Sequence, residues 1–282
     1  MKDLFKLLRP QQYYKNLLIF VAIIFAGKFL NLKLLLTAIL GFIILCLISS
    51  ANYIINDIID RKSDSFHPEK RNRPIAAGRI PFSLALIFSI FLILISLIGS
   101  FLLSPNFFLM VLSFFLLNLL YSVALKKEPF LDIIAIGISF ILRAVGGALL
   151  VNVMITPWLI ICVFFLSLFL ATGKRYVEKI KLGEQAAKHK VVLKYYSLET
   201  LKSSLIAFLS ILIVSYTLYS FLGSHRYIII TLPVVIYILT TYFRYILQAK
   251  RIASNIELVF KNPRLASAIL VWLILIIIFI YL

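Results

Sequence analysis

Nine apolar runs, each long enough to cross a hydrocarbon layer about 30 Å thick, leave this 282-residue chain few folds to choose from. They fall near residues 16–32, 35–57, 81–103, 106–124, 131–152, 156–173, 202–222, 227–243 and 265–282. We read them as nine transmembrane helices of an all-α, polytopic membrane protein. The first is the least regular, because Lys28 interrupts its end and has to snorkel toward the headgroups. Pro81, Pro105, Pro157 and Pro263 stand at or near the starts of runs, where a helix tolerates proline. Composition agrees: 62% hydrophobic residues and a mean hydropathy of +1.05 exclude an ordinary soluble domain. The opening MKDLFKLLRPQQYYKN is basic and mixed, without the pattern of a cleaved signal peptide. No Pro- or Gly-rich linker and no short-period repeat divides the chain, so residues 1–282 read as a single membrane domain.

Charge orients it. A net charge of +18 could suit nucleic acid, but the basic residues lie between apolar runs, where they orient a membrane protein and meet headgroups or phosphorylated substrates. Nucleic acid is therefore not an expected partner. With the N-terminus on the charge-rich side, that side collects 25 of the 29 Lys and Arg. Lys28, Lys33 and Arg226 lie opposite, and Arg143 lies within a span. The positive-inside rule makes the rich side cytoplasmic. The 11 Asp and Glu fall there or at helix ends facing it. The long charged connections near 58–80 and 174–201 are also on that side, so chemistry is expected at the cytoplasmic face. Cys46 and Cys162 sit in separate apolar runs, and His67, His189 and His225 are scattered, which argues against a disulfide or a zinc site.

One stretch crowds carboxylates and cations together, Asn56 to Arg79, NDIIDRKSDSFHPEKRNRPIAAGR. If its start continues as a helix, Asp57, Asp60 and Asp64 fall within roughly 60° of one another. Carboxylates so placed repel one another unless something positive sits between them. A hard divalent cation answers that need, and Mg2+ usually takes one or two carboxylates plus substrate phosphates. Lys70, Arg71, Arg73 and Arg79 follow and suit phosphate oxygens. The plainer alternative is a solvated loop carrying ordinary positive-inside charge.

Other polar residues mark the same end. RPQQYYKN places Arg9, Lys15 and Asn16 where the first run enters the bilayer, which suits an interfacial anchor better than catalysis. Asn52 and Asn56, one turn apart, should face the bundle interior. Asn56 could support a metal ligand or bond a phosphate. Asn118, Ser122 and Lys126 form a stripe at spacing four beside Tyr121; packing explains the first two as well as substrate binding does, and Lys126 is placed for an anion. Arg143, about three turns beyond Asp132 on the same face, is either a functional charge or one held by an ion pair or buried carbonyls. Gly146 and Gly147 would let another helix approach closely. Lys174, Arg175, Tyr176 and Glu178 open the second long loop. Its later part could lie as an amphipathic helix with Lys188, Lys190 and Lys194 near headgroups.

Nine spans, RPxQxxKN before the first, N-D-x-x-D-x-x-x-D after the second, and Tyr121-Ser122 with Lys126 after the fourth resemble the UbiA superfamily of intramembrane prenyltransferases. The resemblance runs nearly end to end. It implies helices around a central cavity capped by the loops after helices two and six, with Asp57, Asp60 and Asp64 holding Mg2+ against a substrate diphosphate. The chain departs from the aromatic prenyltransferases after helix six. Their second D-x-x-x-D motif is replaced by Lys174-Arg175-Tyr176-Val177-Glu178. With HPEKRNRPIAAG, this is more similar to the branch that transfers 5-phosphoribose from 5-phosphoribosyl 1-diphosphate (PRPP) to a long polyprenyl phosphate. That branch implies a bacterial-type inner membrane. It also implies substrate contacts from Lys15, Asn56, Lys70, Arg71, Arg73, Tyr121, Lys126, Arg143, Lys174, Arg175, Tyr176 and Glu178. Three anionic groups in one site call for many cations, and a lipid phosphate needs no strong base to act as nucleophile. The alternative is prenyl transfer from an isoprenyl diphosphate to an aromatic or other acceptor. A transporter would place more ionisable groups near mid-bilayer than Arg143 alone. Oligomeric state stays open at this point.

Overall fold

A computed structural model describes residues 2–66, 70–183, 190–223 and 225–281, and every regular element among them is helical. Helix α1 (Lys2–Leu8) leads into a 3-10 helix, Pro10–Phe20, continued by α2 (Val21–Phe25). Then come α3 (Leu32–Ile59), the short α4 (Arg61–Ser65), α5 (Phe82–Leu103), α6 (Pro105–Val123) and α7 (Leu131–Val151). Next are α8 (Pro157–Leu182), α9 (Leu198–Leu222), α10 (Leu232–Leu247), α11 (Arg251–Ser254) and α12 (Pro263–Tyr281). Starts are set by side chains that accept orphan backbone N–H groups: Asn31 from Leu34, Thr156 from Leu159, Ser197 from Thr200. Eight helical stretches among the described residues are long and apolar enough to cross a membrane, and they match the second to ninth predicted runs.

The first predicted run differs. Residues 16–32 are not one long helix but the end of the 3-10 helix, α2 and a turn closed by Gly27 at φ 66°. The segment is tightened around Asn16, which is buried and engaged by Cys46 Sγ, Ser49 Oγ and Arg143 Nε. A 3-10 helix rises about 2.0 Å per residue, so the whole of Pro10–Phe20 and α2 laid end to end reach about 30 Å, the hydrocarbon thickness.

Contacts divide the chain into two compact units, Met1–Lys126 with Ser139–Met154, and Lys127–Ile138 with Ile155–Leu282. In the first, Ile19, Leu45, Ile48, Phe107, Val111 and Phe114 form one core cluster. Leu7, Ala51, Ile54, Ile75, Ile80 and Ala85 form another, which fastens α1 and the 73–80 segment to α3. In α5, Ile87, Phe91, Leu94 and Ile98 are exposed while Ser89, Ser96 and Ser100 are buried. This inside-out stripe suits a lipid-facing helix, and the three hydroxyls bond carbonyls of their own helix. In the second unit, Ile133, Leu168, Val192, Leu193, Tyr196 and Leu201 pack together.

Gly147 shows why a small residue is needed at one crossing. A Cβ there would overlap the Ile19 carbonyl oxygen, which is backbone and cannot turn aside. Gly147→Ala is therefore expected to lower the thermal midpoint in detergent, by a cost of about 1–3 kcal/mol for overpacking. An unchanged midpoint would show that the two segments can separate freely. At Gly146 the obstruction is the flexible end of Met110, and alanine should be tolerated better there.

Candidate active site

Helix α3 is 28 residues long, about 42 Å at 1.5 Å per residue, so it outruns the hydrocarbon and carries its last turn into polar surroundings. That turn holds Asn56 and Asp57. Asp60 leaves helical geometry (φ −86°, ψ 2°), yet the ladder continues across it, from Asp60 N to Asn56 O at 2.9 Å and from Asp64 N to Asp60 O at 2.8 Å. The three aspartates thus keep near-helical spacing, but they do not all point to one place. Asp57 and Asp64 are both buried and both accept from Arg73 Nη1, at 2.9 Å and 2.5 Å. Asp57 Oδ1 also accepts from Arg9 Nη2 at 2.5 Å. Asp60, more exposed, accepts from Lys126 Nζ at 2.6 Å, and the same ammonium lies 3.4 Å from Asn56 Oδ1.

Something positive does sit among the carboxylates, and in this structure it is a set of side chains. Among the described residues no three His, Cys, Asp or Glu side chains are grouped as a ready cage for a metal. Two carboxylates converging on one cationic atom nevertheless fit Mg2+ of the kind completed by substrate phosphates, which needs only one or two from the protein. Asp57 and Arg73 line a pocket of about 530 Å³ with Lys6, Arg9, Gln11, Gln12 and Pro74, within the usual size range for small-molecule sites.

Arg9 is the member that sequence reasoning undervalued. Its backbone is left-handed (φ 52°, ψ 56°), uncommon for a residue with a side chain. Its guanidinium stacks 5.1 Å from the Tyr53 ring while bonding Asp57. The signal was the RPQQ motif itself: an arginine before a proline at the membrane edge, assigned to anchoring because its carboxylate partner is 48 residues away.

The other expected residues scatter more widely. Lys15 lies 5.9 Å from the Tyr14 ring in the 3-10 helix. Tyr121 is half-buried on the last turn of α6, and Arg71 is exposed in the turn Lys70–Asn72. The side chain of Lys70, together with His67, Lys188 and His189, lies outside the described residues. Arg79 turns back to Asp3 at 3.3 Å and to the Asn72 carbonyl at 2.6 Å. Arg143 lies fully within α7. It bonds Asn16 Oδ1 (2.8 Å), Ser139 O (2.7 Å) and Ser139 Oγ (2.9 Å), and stacks on Phe114 and Phe140. Its partners are neutral dipoles and rings, the buried-carbonyl arrangement. Asn118 bonds the Phe114 carbonyl and Ser139, and Ser122 the Asn118 carbonyl, which is packing. Both amide atoms of buried Asn52 lack a hydrogen-bond partner among the described residues.

The second unit holds its own charged cluster. Lys174, Arg175, Tyr176 and Glu178 do not open a loop: α8 continues to Leu182 and stops at Gly183, φ 51°. The helix persists because nothing between Thr172 and Leu182 breaks it except Gly173, and Arg175 and Glu178 pair one turn apart at 3.2 Å. Arg175 Nε also bonds Asp132 Oδ2 at 2.8 Å, deep in the unit. Tyr196 donates to Asp132 Oδ1 at 2.6 Å and accepts from the Phe130 amide. Lys174 is exposed and Tyr176 half-buried. Past the gap in the described residues, Val191–Lys194 forms a 3-10 turn.

Lys190 Nζ lies 4.0 Å from Asp132 Oδ2. Burial, then the Arg175 guanidinium, pull its ammonium well below the ordinary lysine value. A base whose folded value is lowered binds fewer protons folded than unfolded, so stability rises with pH from that lowered value toward the unfolded one. Lys190→Met is expected to raise the thermal midpoint at pH 7 and to flatten its increase toward pH 9. An undiminished increase in the variant would assign the effect to another group.

The long apolar helices define a multi-pass helical membrane protein, and the carboxylate–guanidinium pocket at the end of α3 is its candidate site. The chain belongs to the UbiA prenyltransferase family, which it matches over residues 17–262. A Mycobacterium tuberculosis protein described as decaprenyl-phosphate phosphoribosyltransferase is 33% identical over 177 residues, 61% of this chain and 59% of that protein. The match therefore spans about three fifths of that relative's length. A Mycolicibacterium smegmatis protein of the same description is 33% identical over 223 residues, covering 77% of this chain and 70% of the relative. A UbiA homolog from Archaeoglobus fulgidus, solved with GPP and Mg2+, superposes with a TM-score of 0.75 over 97% of this chain and 96% of that one, at 19% identity, a likeness of fold.

Proposed function

We propose that the protein transfers 5-phosphoribose from PRPP to a long-chain, decaprenyl-like polyprenyl phosphate, releasing diphosphate, at the cytoplasmic face of a bacterial-type inner membrane. The observation that carries the reading is a pocket lined by Asp57 together with Lys6, Arg9 and Arg73, in a chain 33% identical to proteins described by that activity. Neutralising a diphosphate, a sugar phosphate and a lipid phosphate requires such an excess of positive charge. At the end of α8, where the resemblance leads one to look for a second aspartate pair, Arg175 and Glu178 are bonded to each other.

In this reading an oxygen of the lipid phosphate attacks C1 of the ribose, the bond from C1 to the diphosphate breaks, and the diphosphate leaves with the electron pair. A phosphate monoester is ionised near neutral pH, so no side chain has to remove a proton from the nucleophile. Asp57 and Asp64, with Asp60 beside them, would hold Mg2+, whose chemistry is to offset the charge that grows on the leaving diphosphate. Arg9, Arg73 and Lys126 bind the phosphates. Lys15, Asn56, Lys70, Arg71, Tyr121, Lys174 and Tyr176 are proposed as further contacts to the two substrates.

The test uses purified full-length protein in detergent with Mg2+, polyprenyl phosphate and PRPP labelled in the ribose. Label is expected to move into the lipid extract and to stop with EDTA. Transfer of a prenyl group from an isoprenyl diphosphate to an aromatic acceptor, without ribose transfer, would replace this reading with the prenyltransferase one.

A further inference from the structure

We infer that Arg73 is a resident counter-cation of the metal site, and that the donor's diphosphate has to draw it away before a divalent cation is seated between Asp57 and Asp64. The inference rests on the metal–diphosphate reading above and adds an order of events to it.

One guanidinium nitrogen bonds two buried carboxylates seven residues apart in sequence, Asp57 Oδ1 at 2.9 Å and Asp64 Oδ2 at 2.5 Å. Mg2+ would claim the same oxygens at about 2.0–2.1 Å, and two cations crowded on one pair of oxygens in a shielded place repel strongly. Occupancy by one excludes the other. With Arg73 in place, a free metal ion meets carboxylates that are already neutralised.

Arg73 is also built to leave. Pro74 and Ile75, directly after it, are buried, and Ile75 belongs to the cluster that fastens this segment to α3. The backbone is held while the half-exposed side chain lines the pocket beside Lys6 and Arg9. A diphosphate there offers the guanidinium a second set of acceptors without backbone movement, and arginine's fork suits phosphate as well as carboxylate. Arg9, which bonds the same Oδ1 of Asp57, gives up that oxygen in the same exchange and turns to the phosphates with Arg73. Metal and diphosphate then bind as one unit, and metal alone binds poorly.

Mn2+ binding to the full chain in detergent, read by electron paramagnetic resonance, tests this with and without inorganic diphosphate at matched free Mn2+. Wild type is expected to bind Mn2+ weakly alone and about tenfold or more tighter with diphosphate, a coupling of ordinary size. Arg73→Gln should bind Mn2+ alone about tenfold tighter than wild type and gain little from diphosphate. Asp64→Asn should weaken binding in either background, which locates the signal. Equal Mn2+ affinity of Arg73→Gln and wild type without diphosphate would overturn the inference. Should the variant not fold, wild type decides: Mn2+ affinity unchanged by diphosphate overturns it equally. No Mn2+ bound even with diphosphate would remove the metal–diphosphate reading as well. Because inorganic diphosphate is the probe, an error in the assignment of PRPP shows only in the transfer assay.

Discussion

Asp57→Asn is expected to lower metal-dependent transfer by about 10²–10³-fold or more, the range seen when one preorganised electrostatic contact to a transition state is lost. The amide keeps the shape and removes the charge. Asp57 is nearly inaccessible and is bonded by two guanidiniums, so its loss leaves Arg9 and Arg73 both facing a neutral group. Asp60→Asn should cost less, because Asp60 is partly solvated and its partner Lys126 retains Asn56. Initial rates of label transfer at saturating Mg2+ measure both, with thermal midpoints to confirm folding. Retained turnover in Asp57→Asn would sink the metal assignment.

Asp132→Ala should do the opposite, disturbing stability more than chemistry. Asp132 is fully buried, bonds the equally buried Arg175 at 2.8 Å and accepts from Tyr196 at 2.6 Å. Removing one partner of a buried ion pair strands the other and costs about 3–5 kcal/mol. Unfolding in detergent should therefore move markedly lower, while Mn2+ with diphosphate still binds. Asp132→Asn with Arg175→Met, which removes both charges, should recover much of the loss. A wild-type midpoint for Asp132→Ala would mean that Arg175 is served well enough by its remaining partners, Glu178 among them. This cluster ties the Val191–Tyr196 segment to the start of α7, and burial, then its bond to Asp132, raises the Tyr196 phenol well above its usual value.

Much of this was legible without coordinates. Span length and apolar content are local properties, and eight of the nine runs stand as helices near their expected places. Spacing marked Asp57, Asp60 and Asp64, since carboxylates at three and four are brought together by any helix. Gly146 and Gly147 pointed to a close approach because the smallest residues let segments pack tightly in a span; Gly147 meets backbone and Gly146 a side chain. The irregular first element was not legible: its pattern is that of a helix, and the 3-10 turn follows from Asn16 docking on Cys46, Ser49 and Arg143. Nor was the persistence of α8 past Lys174, because a charged tail after an apolar run reads the same as loop or helix.

The sequence by itself determined a multi-pass helical membrane chain of the UbiA family, with its charge gathered at helix ends and three aspartates at helical spacing. The spans, the charge at their ends and the aspartate spacing follow from periodicity, length and composition, which act between near neighbours; the family follows from the motifs the chain shares with it. Only the tertiary structure decided who neutralises whom: Arg9 and Arg73 on Asp57, Arg73 on Asp64, Lys126 on Asp60, Arg175 on Asp132, dipoles and rings around Arg143. A charge removed from water has to find its partner wherever the packed chain puts one, and for Lys126 and Asp60 that place was 66 residues away.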